Sequence, residues 1–190
     1  MLIGGERFLF RRDELRKADF SSEQLKLPAI VFDVRHSVVE VLNLPPSELR
    51  GYQAFKADQK ILALWAADCA ERVLSFFEEK YPTDDRPKRA IEACRAWAET
   101  GVFKMTAIRK ASLDSHAAAR DAGNGSAACY VARSAGQAVA TAHVSTHSVG
   151  AAAYAIKAAT VHSGLIEAGL VEERDWQRQR LVEYAKQRGR

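Results

Sequence analysis

Apolar residues recur at three- and four-residue steps from about residue 56 onward, and that period restricts the chain to packed helices. Ile61, Leu62, Trp65, Cys69, Val73, Phe76 and Phe77 make one stripe that ends at Tyr81-Pro82. Thr83-Asp84-Asp85 offers capping side chains ahead of Pro87, which a first helical turn tolerates. A second helix is expected from about Arg86 to Glu99, with Ile91, Cys94 and Trp97 or Ala98 inward and Gly101 as its stop. A third should start near Thr106, run through His116 and Arg120, and end at Gly123-Asn-Gly-Ser126. The stretch from about Ala127 to His162 reads as one long central helix with small or apolar residues on two faces, and Gly136 or Gly150 is the place for a kink. An amphipathic helix carrying Trp176, Leu181 and Tyr184 closes the sequence.

The expected fold class is therefore all-α, an Ala-rich helical bundle over residues 48–190, with residues 1–47 as an extension packed on it. Asp13 to Leu25 fits a short helix. Ile30 to Leu42 is β-branched enough for a strand or hairpin, and helix stays equally open there. A chain of 190 residues suffices for one buried core, so a single globular unit is the default.

Charge narrows the partners. The net charge is only +4 because acids and bases interleave, a weak signal for nucleic acid. The basic C-terminal residues Arg174, Arg178, Arg180, Lys186, Arg188 and Arg190 are offset by Glu172, Glu173, Asp175 and Glu183. The first residues carry charge and lack the apolar run of a secretory signal, and no stretch reaches the ~20 residues of a membrane span. A cytoplasmic protein with no membrane role is expected. Cys69, Cys94 and Cys129 are odd in number, form no CxxC pair and read as buried reduced thiols.

His143 and His147 stand four apart, which on one helix would let two imidazoles reach one metal ion. No Glu follows the first His, so the general base of a metalloprotease helix is missing. His116, Asp68 and Glu92 sit on other expected helices and could complete a site inside a bundle. A metal-binding bundle enzyme using His116, His143 and His147 is one reading. The other is polar residues in an Ala-rich core, bonded to Asp68, Ser or backbone, with no metal and no cofactor. Asp68 and Arg72 are spaced as a helix-surface pair, as are His116 and Arg120. Asp68, Glu71, Arg86 and Glu92 could instead line a recognition groove beside Trp65 and Trp97. A further candidate surface is the turn and helix carrying Asp84, Asp85, Arg86 and Arg89, with Trp97 as its aromatic anchor.

Five blocks carry a family resemblance: Trp65-Ala-Ala-Asp-Cys-Ala-Glu-Arg-Val-Leu74, Tyr81-Pro-Thr-Asp-Asp-Arg-Pro87, Ala90-Ile-Glu-Ala-Cys-Arg-Ala-Trp97, His116-Ala-Ala-Ala-Arg120 and Ala138-Val-Ala-Thr-Ala-His-Val-Ser-Thr-His147. In that order they resemble the bacterial immunity proteins of polymorphic toxin systems, over about residues 48 to 160. The resemblance implies a small Ala-rich helical protein that neutralises a protein toxin, and it leaves self-association open. It places the family's polar motif residues on Asp68, Glu71, Asp85, Arg86, Glu92, His116, His143 and His147. In the segment after Ala135-Gly136, where the family often has His or another residue, this chain has Gln137. Residues 1 to 45 lie outside the resemblance.

Overall fold

The computed structural model describes residues 56–164 and 166–188, and among them it holds seven helices and no strand. These are α1 (Lys56–Arg72), α2 (Ser75–Glu78), α3 (Arg86–Thr100), α4 (Met105–Asp121), α5 (Ala127–Ala140), α6 (His147–Ser163) and α7 (Ile166–Arg188). The expected N-terminal extension, with its possible helix at Asp13 to Leu25 and its strand or helix at Ile30 to Leu42, lies outside the described residues.

The punctuation read from the sequence explains most boundaries. Pro87 sits in the first turn of α3, and Gly101 ends that helix at φ 70°, a left-handed cap whose N–H bonds to the Trp97 carbonyl. Ser126 caps α5, its hydroxyl accepting the Cys129 N–H at 3.0 Å. The first stripe is one surface but two helices, because the chain turns at Val73-Leu74 between α1 and α2.

One expectation fails. The stretch from Ala127 to His162 is two helices, broken across 141–146, and both Gly136 and Gly150 lie inside helix away from that break. At the break the Gln59 side chain of α1 donates to the Thr141 carbonyl at 2.8 Å and to the Ala142 carbonyl at 3.2 Å. Those are carbonyls a helix end leaves orphaned, so a residue far away in sequence takes up the end of α5. The Ser148 hydroxyl, bonded to the Ser145 carbonyl at 2.7 Å, tightens the start of α6.

α5 is the central element, packed against α1, α2, α3, α4 and α6. Its Ala, Ser and Gly side chains let neighbouring backbones come close enough for small polar groups to bridge helices. Ser115 donates to the Ala132 carbonyl at 2.8 Å, and Ser134 to the Ala151 carbonyl at 2.7 Å. The Cys94 thiol reaches the Ala63 and Ala138 carbonyls at 3.3 and 3.1 Å. α1 lies between two cores. Leu62, Trp65, Phe77, Ile156 and Leu181 build the larger-residue core, and Ala66, Ala70, Ile91, Trp97 and Val139 build the Ala-rich one.

Candidate functional site

Three polar clusters stand on this scaffold. The first is organised by Asp68, a carboxylate on α1 that is only 8% exposed. Its Oδ1 accepts from Arg95 Nη2 of α3 at 2.7 Å. Its Oδ2 accepts from Arg180 Nε at 2.5 Å and from the Tyr184 hydroxyl at 2.9 Å, both on α7. Glu71 also pairs with Arg95, and Glu183 with Arg180 at 2.7 Å. One turn on, Arg72 binds Glu173 at 2.8 Å and lies over the Trp176 ring, 4.6 Å from its centroid. Asp68, Glu71, Arg72, Trp176, Arg180 and Glu183 line an open groove of about 540 Å³.

Opposite charges surround every arginine of this groove, so its ion pairs join α1 to α3 and α7. A buried carboxylate is stable only when paired and hydrogen-bonded, and Asp68 has both kinds of partner. Burial holds the Glu173 carboxyl above its usual range in spite of the bonds from Gln177 and Arg72. Burial and the bond to Asp68 push the Tyr184 phenol up.

The second cluster closes the start of α3. Asp84 accepts the Arg86 backbone N–H at 3.1 Å and grips its guanidinium, with Nη2 to Oδ2 at 2.6 Å. Arg86 continues to Asp121 at the end of α4, at 2.8 Å. The Arg86 bonds hold the Asp84 carboxyl below its usual range. Asp85 occupies the N-cap position without a side-chain capping bond and pairs with Arg89 on the surface at 3.0 Å.

The third cluster holds the histidines. The His116 ring of α4 lies flat on Gly136 of α5, so close that a Cβ built there would meet Cε1 at 2.8 Å. Only glycine fits beneath it. His116 Nδ1 is buried with no hydrogen-bond partner, and burial, then the charges of Arg133, His147 and Arg120, push the ring's pKa down to about 4. His147 opens α6 and its Nδ1 meets Gln137 Oε1 at 2.6 Å. Burial, then His143, pushes it down to about 4 as well. His143 is exposed on the 141–146 segment.

The sequence-derived candidates thus separate into different places. Asp68 and Glu71 share the groove, whereas Arg86 lies at the start of α3 and Glu92 is exposed on its surface. His143 and His147 do not share a helix, since the break falls between them, and neither pairs with Asp68. Among the described residues no three His, Cys, Asp or Glu side chains gather as metal ligands, so His116, His143 and His147 do not form the ligand set considered for them. Trp97 is core rather than surface anchor. The Asp68–Arg72 pair expected from spacing is replaced by longer-range partners. The sequence places Arg180 and Tyr184 on the last helix but gives no sign that they, or Arg95, meet Asp68; the i,i+4 spacing of Arg180 and Tyr184 is the one local signal.

A family model described as Imm-5 like putative immunity protein matches residues 54–184. The chain belongs to that family. No curated protein and no solved structure matches it. The immunity-protein match runs from just before α1 to Tyr184, so it takes in all three clusters. It also reaches beyond the blocks that carried the resemblance, into the α7 residues that meet Asp68.

Proposed function

We propose that this chain neutralises a protein toxin of a polymorphic toxin system by binding it in the cytoplasm as a rigid helical body, without chemistry of its own. The observation that carries the reading is the immunity-protein match over residues 54–184. The chemistry of the side chains agrees with it. The three thiols are buried, and burial pushes Cys94 up to about 12 and Cys69 well above its ordinary value, which suits packing and not nucleophilic attack. The carboxylates and guanidiniums of the groove hold each other across three helices, which suits a stiff binding surface.

The test is a titration of the cognate toxin with the full chain. Toxicity should vanish at equimolar ratio, and the toxin recovered from the complex should be unchanged in mass and active again after separation. Inactivation by a small fraction of an equivalent, or a covalent change in the toxin, overturns a binding-only role.

A further inference from the structure

Ser112 donates to the Gly136 carbonyl at 3.0 Å, and Ser115 to that of Ala132. α4 and α5 therefore run antiparallel with His116 beside Arg133 and Gly136. On α4 the helical repeat lines Arg109, Leu113, His116 and Arg120 along one side. Arg109, Leu113 and Arg120 are exposed, Leu113 by 48%. Across from them Arg133 and Gln137 stand one turn apart on α5, and His147 and His143 continue the strip past the end of that helix.

What sets the strip apart is the lack of neutralising charge. Among the described residues Arg109, Arg120 and Arg133 meet no carboxylate, in contrast to Arg72, Arg86, Arg89, Arg95 and Arg180. The positive field is felt inside the protein, where Arg133 and Arg120 help to keep His116 neutral.

We propose that this strip is the toxin-facing surface and that it takes an acidic protein surface, with carboxylates set against Arg120 and Arg133 and an apolar group against Leu113. The inference rests on the neutralisation reading above and adds the face and the chemistry of the partner. Interfaces favour arginine around desolvated apolar contacts, and opposed charge speeds encounter. Three guanidiniums beside an exposed leucine suit a protein. They are few for a nucleic acid, whose binders commonly neutralise about 6–10 phosphates.

Association of the full chain with the cognate toxin is the test, followed from low to physiological ionic strength, where the screening length falls from about 30 Å to about 8 Å. Arg120→Glu and Arg133→Glu should each slow association about tenfold or more at low salt and flatten its salt dependence. Lys186→Glu, the same change in net charge at an exposed position of α7, should stay near the wild-type rate. Arg120 is exposed, so Arg120→Glu remains informative if Arg133→Glu folds poorly; Arg133→Gln gives a milder second variant. Equal slowing by Lys186→Glu, or none by Arg120→Glu, overturns the assignment while leaving neutralisation intact. Duplex DNA bound through the same arginines would overturn the choice of a protein partner. A wild-type chain that ignores the toxin removes the proposed function, and this inference with it.

Discussion

The Asp68 groove and the histidine strip both present arginines and treat their charge in opposite ways. In the groove each guanidinium has a carboxylate, and a half-buried Trp176 lies under one of them. On the strip the guanidiniums meet no carboxylate among the described residues, and burial keeps His116 and His147 neutral beneath them. Neutralised charge joins helices; unneutralised charge is left for something else to meet. Polar composition alone does not tell glue from binding surface, whereas the pairing does.

Acid should separate the two regions most strongly. Both His116 and His147 have folded-state values near 4, below the ordinary 6.5, so between those limits the unfolded chain binds more protons than the folded one. Stability is then complete above about pH 6.5 and falls as pH drops toward 4, by up to about 3 kcal/mol for each histidine. Urea unfolding across that window should show the loss, and His116→Gln with His147→Gln should flatten it. A wild-type midpoint that stays constant between these limits would break the contrast.

The next effect belongs to the groove. Asp68→Ala leaves Arg95 and Arg180 facing each other across a vacated, partly solvated site, and should cost about 2 kcal/mol. For a domain of this size that lowers Tm by roughly 4–8 °C in a thermal melt. A melt shifted by less than a degree would mean that the groove pairs do not hold α7.

Gly136→Ala sharpens the other side. The added methyl meets the His116 ring at 2.8 Å, and the closely packed helices must part, at about 1–3 kcal/mol. Adding His116→Ala should return part of that loss, read as a coupling energy in a double-mutant cycle. Strict additivity would place the two residues out of contact. The smallest effects are expected at the start of α3. Asp84→Ala should cost about 1 kcal/mol through its backbone bond and partly exposed ion pair, and Asp85→Ala about 0.5 kcal/mol or less, because its pair with Arg89 is on the surface. Equal losses in chemical denaturation would erase that distinction.

The helices that were legible in sequence are those whose ends are written locally. Pro87 and Gly101 bracket α3, and the Gly123-Asn-Gly-Ser126 break divides α4 from α5. The end of α5 was not legible, because Thr141-Ala-His-Val-Ser-Thr146 contains neither glycine nor proline and its carbonyls are taken by Gln59. The site followed the same rule. Asp68 and His116 are candidates from their residue types and the resemblance, but Arg180 and Tyr184 reach Asp68 only because α7 packs against α1. Spacing along one helix suggested Arg72 for Asp68 and His143 for His147, and packing between helices chose otherwise.

The bond from Gln59 to the end of α5 has a consequence for how the chain acquires its shape. A residue 82 positions upstream takes up the end of that helix, so residues 127–162 alone lack one of its partners. A synthetic peptide of that span, in a helix-promoting solvent, should run as one uninterrupted rod through 141–146, and its carbonyl-labelled infrared signature should lack the break. In the folded chain the docking of α1 supports the turn between the two halves. Gln59→Ala should loosen the turn between them before anything else in the bundle gives way.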